Sequence, residues 1–405
     1  MSITRLSLRS PSILRLRPLS TIYHRSIMST QKPLLVAVVG VGLVGSEFIS
    51  QLLSIPSPSP LKLISLTSST RTLTLDPNSS SSSAPQLKNE WKSLLSSSSL
   101  PADLQSLTTR LTTLVSQDKE RVILVDNTSS DSVAALYPTW LAQGINVVTP
   151  NKKAYSGDVQ LWKDILEASS SQGGGRYLNE ATVGAGLPVI STLKELLGTG
   201  DKIIKIEGVF SGTMSYIFNE FSTGREGGPA FSAVVGVARE KGYTEPHPAD
   251  DLNGFDVARK LTILSRIISS FPTSSPSTLP PLQSFKSVKT ASLIPPELEG
   301  IPTGDEFLAR LPAHDAQFAK LREEASKEGK VLRFVGVVDV KGGEVRAGLE
   351  KYPTTHPFAT SLGGSDNIIM FHTERYSPRP LIIQGAGAGA AVTAMGVLGD
   401  VLKLV

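Results

Sequence analysis

The sequence predicts an α/β protein in two parts: an N-terminal parallel sheet, then an α+β domain on a mostly antiparallel sheet, with a C-terminal helix returning to the first part. Three observations carry this. Leu34-Leu35-Val36-Ala37-Val38-Val39 is an apolar, β-branched run that leads into Gly40-Val41-Gly42-Leu43-Val44-Gly45 and a helix-forming stretch, 46–53. Further apolar runs at 61–66, 121–126 and 145–148 alternate with helical stretches, the rhythm of βα units. Beyond residue 330 the apolar runs instead flank Lys341-Gly342-Gly343, as a hairpin requires.

At 405 residues the chain can bury two or three cores. No apolar run reaches the ~18 residues of a membrane helix, so no membrane contact is expected. There is no Cys, which excludes disulfides, thiolate nucleophiles and Cys-bound metals. Arg5, Arg9, Arg15, Arg17 and Arg25 all precede the first acid, Glu47. Setting those five charges aside takes the formal net charge from +4 to −1, so the folded body has no global attraction for nucleic acid. Residues 1–28, rich in Arg, Ser and Leu, read equally as a mitochondrial transit peptide or as a leader before a start at Met28. Either way they stand outside the fold. The expected location is cytoplasmic, or the mitochondrial matrix if the transit peptide is genuine.

The strand, glycine turn and helix at 34–53 stand in the order of a Rossmann dinucleotide fingerprint; the plain alternative is a glycine-rich turn between ordinary elements. Gly40 permits the tight turn, Gly42 lets the backbone approach a pyrophosphate, and Gly45 lets helix and strand pack closely. The strand at 61–66 ends in Thr67-Ser68-Ser69-Thr70-Arg71. An NAD site usually has an acid there; hydroxyls and Arg71 lean towards NADP, whose 2′-phosphate needs donors and positive charge. The serine runs 79–83 and 96–99 read as low-complexity segments, with helices over 87–95 and 102–114. Strand 121–126 ends in Asn127-Thr128-Ser129-Ser130, a turn that caps a helix over 131–143. Strand 145–148 ends in Thr149-Pro150-Asn151-Lys152-Lys153. Ligands collect at the carboxyl ends of parallel strands, which places Lys152 at the mouth; solvated surface is its alternative.

A helix over 158–171 precedes Asn179-Glu180-Ala181-Thr182-Val183-Gly184-Ala185-Gly186-Leu187-Pro188. Such a turn can aim carbonyls inward around a monovalent cation, or simply pack tightly without one. Strand 202–210 leads to Ser211-Gly212-Thr213, where a hydroxyl can start a helix and bind substrate. Residues 231–241 are helical, 271–303 read as loop or short turns, and 306–328 as a charged, exposed helical region. Strands at 368–375 and 381–384 precede the small-residue run 385–391, which opens a helix to the terminus.

The densest set of ionisable groups is Gly242-Tyr243-Thr244-Glu245-Pro246-His247-Pro248-Ala249-Asp250-Asp251 and its continuation to Lys260. The two prolines forbid helix in the turn. Asp250 and Asp251 then open a helix predicted to reach 268, on which Asp256 and Lys260 share a face with Asn253. This arrangement can bind a small zwitterion and deliver a proton to it. A capped surface helix with one ion pair is the alternative.

Taken together, 40–45, 125–130, 149–153, 180–186, 210–213, 242–260 and 385–395 resemble, in order, the homoserine dehydrogenases of the short, monofunctional fungal kind. The resemblance covers residues 34–405. It implies NAD(P)-dependent, reversible reduction of L-aspartate 4-semialdehyde to L-homoserine, on the route to threonine, methionine and isoleucine. It also implies a dinucleotide-binding domain at 29–178 plus 385–405 and a substrate-binding and dimerisation domain at 179–384. By similarity, Gly40, Gly42, Leu43, Val44, Gly45, Thr128, Lys152 and Gly389 hold the cofactor, expected to be NADP, with NAD as the alternative. Glu245, Asp251, Thr213, Tyr243 and Lys152 are expected at the substrate. Lys260 is the proton donor and Asp256 orients it. Main-chain oxygens of Glu180, Val183, Ala185 and Leu187 match a sodium site, and the expected assembly is a homodimer. Two other readings of the residues stand beside this one. One is an NAD(P) oxidoreductase acting on another small amino or hydroxy acid. The other is a redox sensor that binds the nucleotide without chemistry, against which the intact Glu245, Asp256 and Lys260 argue.

Overall fold

Six apolar residues in a row have no polar face to show to water, and β1 (Leu34–Val39) is buried along its whole length. It lies at the centre of a six-stranded sheet. The computed structural model describes residues 32–56, 59–76, 84–271 and 278–405. The readings for 1–28 and 79–83 lie outside them.

β1 pairs in parallel with β2 (Leu61–Thr67) on one side and β4 (Val122–Asp126) on the other. β5 (Asn146–Val148) and β6 (Tyr177–Leu178) extend the parallel set, and β3 (Thr72–Thr74) adds antiparallel to β2, for an order β3-β2-β1-β4-β5-β6. Helices cover the sheet: α1 (Leu43–Leu52), α2 (Ala84–Ser97), α3 (Leu104–Ser116) and α4 (Val159–Ser170). Asp103 and Asp158 cap α3 and α4 by accepting from backbone N–H groups of their first turns. The predicted helix over 131–143 is two short ones, Asp131–Ala134 and Tyr137–Ala142, with a proline opening the second. Ser96 and Ser97 close α2, and the Ser98 hydroxyl donates to the Thr72 carbonyl, so this serine run is anchored on β3.

The second sheet has the order β12-β11-β7-β9-β10-β8. Its strands are β7 (Ile203–Val209), β8 (Lys289–Thr290), β9 (Lys330–Asp339), β10 (Glu344–Pro353), β11 (Asp366–Thr373) and β12 (Leu381–Ala386). All neighbours are antiparallel except β10 and β8. The helices of this part are α5 (Val189–Gly198), α6 (Gly212–Phe221), α7 (Phe231–Glu240), α8 (Phe255–Ser270) and α9 (Asp315–Lys327). α8 lies directly on the sheet: a Cβ at Gly336 would come within 3.0 Å of Leu261, Phe210 and Val257. On the far face, Val209, Val335, Val337, Ile368 and Met370 form a separate apolar cluster with Phe358, from the short helix Pro357–Thr360.

Three expectations are revised here. The helix expected from Asp250 breaks at Gly254, whose φ is +73° and whose Cβ would strike Phe334 and Thr290; a short helix, Ala249–Leu252, precedes the break. The region 306–328 is interrupted by a 3₁₀ turn, Leu311–His314, at Pro312. It is not wholly exposed, since Phe318 is buried and stacks on Phe231 at 3.9 Å. The loop 271–303 contributes the short strand β8.

The final helix, α10 (Ala390–Leu402), packs back on α1. Ala394, Val397, Val401 and Leu404 share one apolar cluster with Val36, Val38, Phe48 and Ile49, and the Gln51 amide donates to the Ala391 carbonyl. The chain thus passes between the two sheets twice, once between β6 and β7 and again between β12 and α10.

Candidate active site

The glycine turn is shaped by close approach. Gly40 has φ +87°, and its Cβ would meet Thr128 at 2.7 Å. A Cβ on Gly45 would fall 2.0 Å from the Gly40 carbonyl oxygen. Gly42, by contrast, has nothing within 4 Å of its would-be Cβ, so the open side of the turn lies there. Leu43 beside it is 86% exposed. Gly42 is the N-cap residue of α1 and offers no side chain to the first-turn N–H groups. The buried amide atoms of Asn127, also beside this turn, have no hydrogen-bond partner. Close backbone packing, an open cradle and an orphaned amide fit a pyrophosphate-linked dinucleotide.

Asp126 organises the loops that face this turn. Its carboxylate accepts from the Thr128 N–H at 2.8 Å, from Asn151 Nδ2 at 3.1 Å and from the Tyr137 hydroxyl. The Thr149 hydroxyl donates to its carbonyl at 2.7 Å. Burial pushes this carboxyl up, against those hydrogen bonds. One buried acid therefore holds both strand-end loops, and so sets Thr128 and Lys152.

Lys152 reaches across to the second part of the molecule, where its ammonium lies 3.4 Å from Asp256 Oδ1. Asp256 Oδ2 accepts from Lys260 Nζ at 2.6 Å, and the same ammonium donates to the Phe210 carbonyl at 2.7 Å. Lys260 is buried, whereas the Asp256 side chain is 44% exposed. Crowding by the protein pushes the Asp256 carboxyl up, but the charges of Lys260 and then Lys152 outweigh it and hold it well below the usual carboxylate range. Burial pulls the Lys260 ammonium below its ordinary value, with Asp256 opposing and Lys152 adding to the effect.

Next to this centre, the single proton of the Thr213 hydroxyl is shared between Asp251 Oδ1, at 2.9 Å, and the Tyr243 carbonyl. Asp251 Oδ2 accepts from the Glu245 N–H at 2.8 Å. Asp251 thus shapes the proline-flanked turn and leaves the exposed Glu245 carboxylate outward. Burial raises the Asp251 carboxyl to about 6, against the Glu245 and Thr213 hydrogen bonds. Tyr243 enters through its carbonyl, while its ring lies on Tyr216 at 4.8 Å. His247 is a fastener: Nδ1 accepts from the Ala249 N–H, and Nε2 faces the Ile301 carbonyl at 2.9 Å.

The turn at 180–187 combines Gly184 at φ +77° with Ala185 at +53°. The Glu180 carboxylate accepts from Ile190 and Ser191 N–H groups at 2.6 and 2.9 Å, capping α5, so only its main chain is left for an ion. Gly389, with φ +116°, is the N-cap residue of α10. The sequence reading missed Asp126, Asn151, Asn367 and Arg266. Arg266, on α8, donates to the carbonyls of Tyr155, Gly157, Leu282 and Gln283, tying α8 to the segment after Lys152.

Fold and site together define a two-domain, nicotinamide-dependent dehydrogenase. Residues 40–179 match the family model "Homoserine dehydrogenase, NAD binding domain", and residues 188–402 match "Homoserine dehydrogenase". The homoserine dehydrogenase of Saccharomyces cerevisiae is 49% identical over 380 residues, 93% of this chain and 99% of that protein. A crystal structure of a Candida auris protein of unknown function aligns with TM-score 0.82 at 46% identity, over 92% of this chain and 98% of that one. A hyperthermophilic archaeal homoserine dehydrogenase in complex with NADPH shares the fold, with TM-score 0.62 at 23% identity over 91% of this chain and 96% of that one. The chain belongs to the homoserine dehydrogenase family.

Proposed function

We propose that the protein reduces L-aspartate 4-semialdehyde to L-homoserine, reversibly, with NADP as its preferred cofactor. The observation that carries this is the Lys152–Asp256–Lys260 cluster, which stands where the first sheet's strand-end loops meet α8. When bound, the reduced nicotinamide dinucleotide would supply a hydride to the aldehyde carbon and be left oxidised. The oxygen left negative then needs a cation and a proton. Lys260 has three N–H bonds; Asp256 and the Phe210 carbonyl take two, and the third serves the substrate oxygen. Asp256 holds the ammonium charged for the reduction. In the reverse direction Lys260 must be neutral, and its burial makes that form reachable at lower pH than for a free lysine.

Glu245 is the carboxylate for the substrate ammonium, with Thr213, Tyr243 and Asp251 shaping that end. Lys152 serves substrate and cofactor together. Gly40, Gly42, Leu43, Val44, Gly45, Thr128 and Gly389 line the dinucleotide site. The NADP preference rests on Arg71, beside the Ser68 hydroxyl that accepts from the Thr70 and Arg71 N–H groups. A sodium ion at the carbonyls of Glu180, Val183, Ala185 and Leu187 suits the left-handed turn there and the preference of hard cations for oxygen. The far face of the second sheet, where Phe358, Tyr352 and Leu362 lie over the apolar cluster, is the surface for a homodimer. Residues 29–178 with 385–405 act as the nucleotide-binding unit, and 179–384 as the substrate and dimer unit.

The test is absorbance of the reduced nicotinamide with homoserine and NADP, against NAD in parallel. Lys260→Ala should abolish turnover and leave cofactor affinity nearly unchanged. Loss of cofactor binding instead contradicts its role, and equal use of NAD by wild type and Arg71→Ala contradicts the preference.

A further inference from the structure

We infer that Asn367 is a positioning residue for Lys260: it fixes the carbonyl to which the ammonium is tied, and is itself held by the backbone at Gly387. This rests on the reading of Lys260 as proton donor. Asn367 lies on β11 and is completely buried. Its Nδ2 donates to the Phe210 carbonyl at 3.0 Å, the same oxygen that accepts from Lys260 Nζ at 2.7 Å. Phe210 stands just past the end of β7, where the ladder no longer fixes the peptide plane. A second donor on that oxygen fixes its direction, and so the direction in which the ammonium presents its third N–H.

The amide is costly where it stands. Asn367 Oδ1 is buried without a hydrogen-bond partner, a penalty that an apolar residue of similar shape would not carry. Its fit is also tight. A Cβ at Gly387 would sit 2.0 Å from Asn367 Cγ and Nδ2, so the backbone there presses close against the amide. Asn367 faces Gly385 in the β11–β12 register. The segment that leaves β12 for α10 therefore clamps the amide that orients the catalytic ammonium's acceptor.

The groups facing Lys260 are Asp256 from its own helix, Lys152 from the loop after β5, Asp251 from the short helix Ala249–Leu252, and the Phe210 carbonyl. Asn367 is neutral and acts only through that carbonyl. A well-aimed carbonyl favours the ammonium, so a carbonyl free to swing lowers the proton affinity of Lys260. In Asn367→Leu, kcat for homoserine oxidation should fall about tenfold or more. The rise of activity with pH should move to lower pH, while homoserine KM and the dissociation constant for NADPH stay within about twofold. Gly387→Ala keeps the amide but displaces it, and should give the same signature; it decides the matter if Asn367→Leu does not fold. A folded variant with wild-type kcat, or with an unmoved or raised pH midpoint, overturns the inference. Lys260→Ala in the same assay separates the two readings. If it retains turnover, the reading of Lys260 fails. If it is inactive while Asn367→Leu behaves as wild type, only the inference fails.

Discussion

Lys152, in the loop after β5 of the first sheet, and Asp256, on α8 against the second sheet, meet at 3.4 Å. Asp256 therefore has two duties, joining the two parts and holding the Lys260 ammonium charged. Asp256→Asn removes the carboxylate that, among the described residues, pairs with both cations. The proton affinity of Lys260 should fall further, because the interaction that raises it is gone. The pH above which semialdehyde reduction declines should move down, with a loss of about 10²–10⁴ in kcat, the scale of a positioned acid. A pH–rate profile that keeps its midpoint would remove Asp256 from the proton-transfer machinery.

Gly42 and Gly45 differ by what stands opposite them. Gly45→Ala drives a methyl into the Gly40 carbonyl and should destabilise the fold by about 1–3 kcal/mol. Gly42→Ala meets no protein atom, so its Tm should stay within about a degree of wild type, while its affinity for NADPH falls. Calorimetry paired with cofactor titration reads both. Equal Tm losses in the two variants would place the open side of the turn elsewhere.

Arg266 donates to four backbone carbonyls and is buried. Arg266→Met fills most of the volume but leaves those acceptors without a charged partner. A loss of about 3 kcal/mol is expected, visible as a lower urea midpoint. An unchanged midpoint would show that water replaces the guanidinium at no cost.

Asp251 gives a pH dependence of defined sign. Its carboxyl is raised in the folded chain to about 6, from an ordinary value of 3.8. Such a group stabilises the fold below 3.8, and that contribution is lost as pH rises through about 6. Asp251→Asn lacks this titration. The urea midpoint of the variant should gain on wild type between pH 4 and pH 7, while its homoserine KM is raised. A difference that stays flat with pH would mean that Asp251 titrates normally.

What the sequence disclosed follows from range. The glycine turn and the Asp256–Lys260 pair are local patterns, set by neighbours a few residues away, and both can be read along the chain. The break at Gly254 is less legible, because the reason for glycine there is Phe334, 80 residues on. Asp126, Arg266 and Asn367 could not be found by spacing at all. Arg266 and Asn367 bond to backbone carbonyls of other segments, which carry no residue-type signal, and Asp126 is held by Tyr137 and Asn151, which only the fold brings to it. A buried Asn in an apolar strand, Asn367 within 366–373, was the one available hint. The short strands β3, β6 and β8 were missed because two or three residues show no periodicity.

The double passage between the sheets has a mechanical result. Side chains add to those two peptide spans: Arg266 on α8 is tied to the carbonyls of Tyr155 and Gly157, and Tyr155, Phe210 and Leu261 share one buried cluster. Rotating one lobe against the other would therefore cost these contacts as well as bend both spans, which keeps Lys152 and Asp256 in one register.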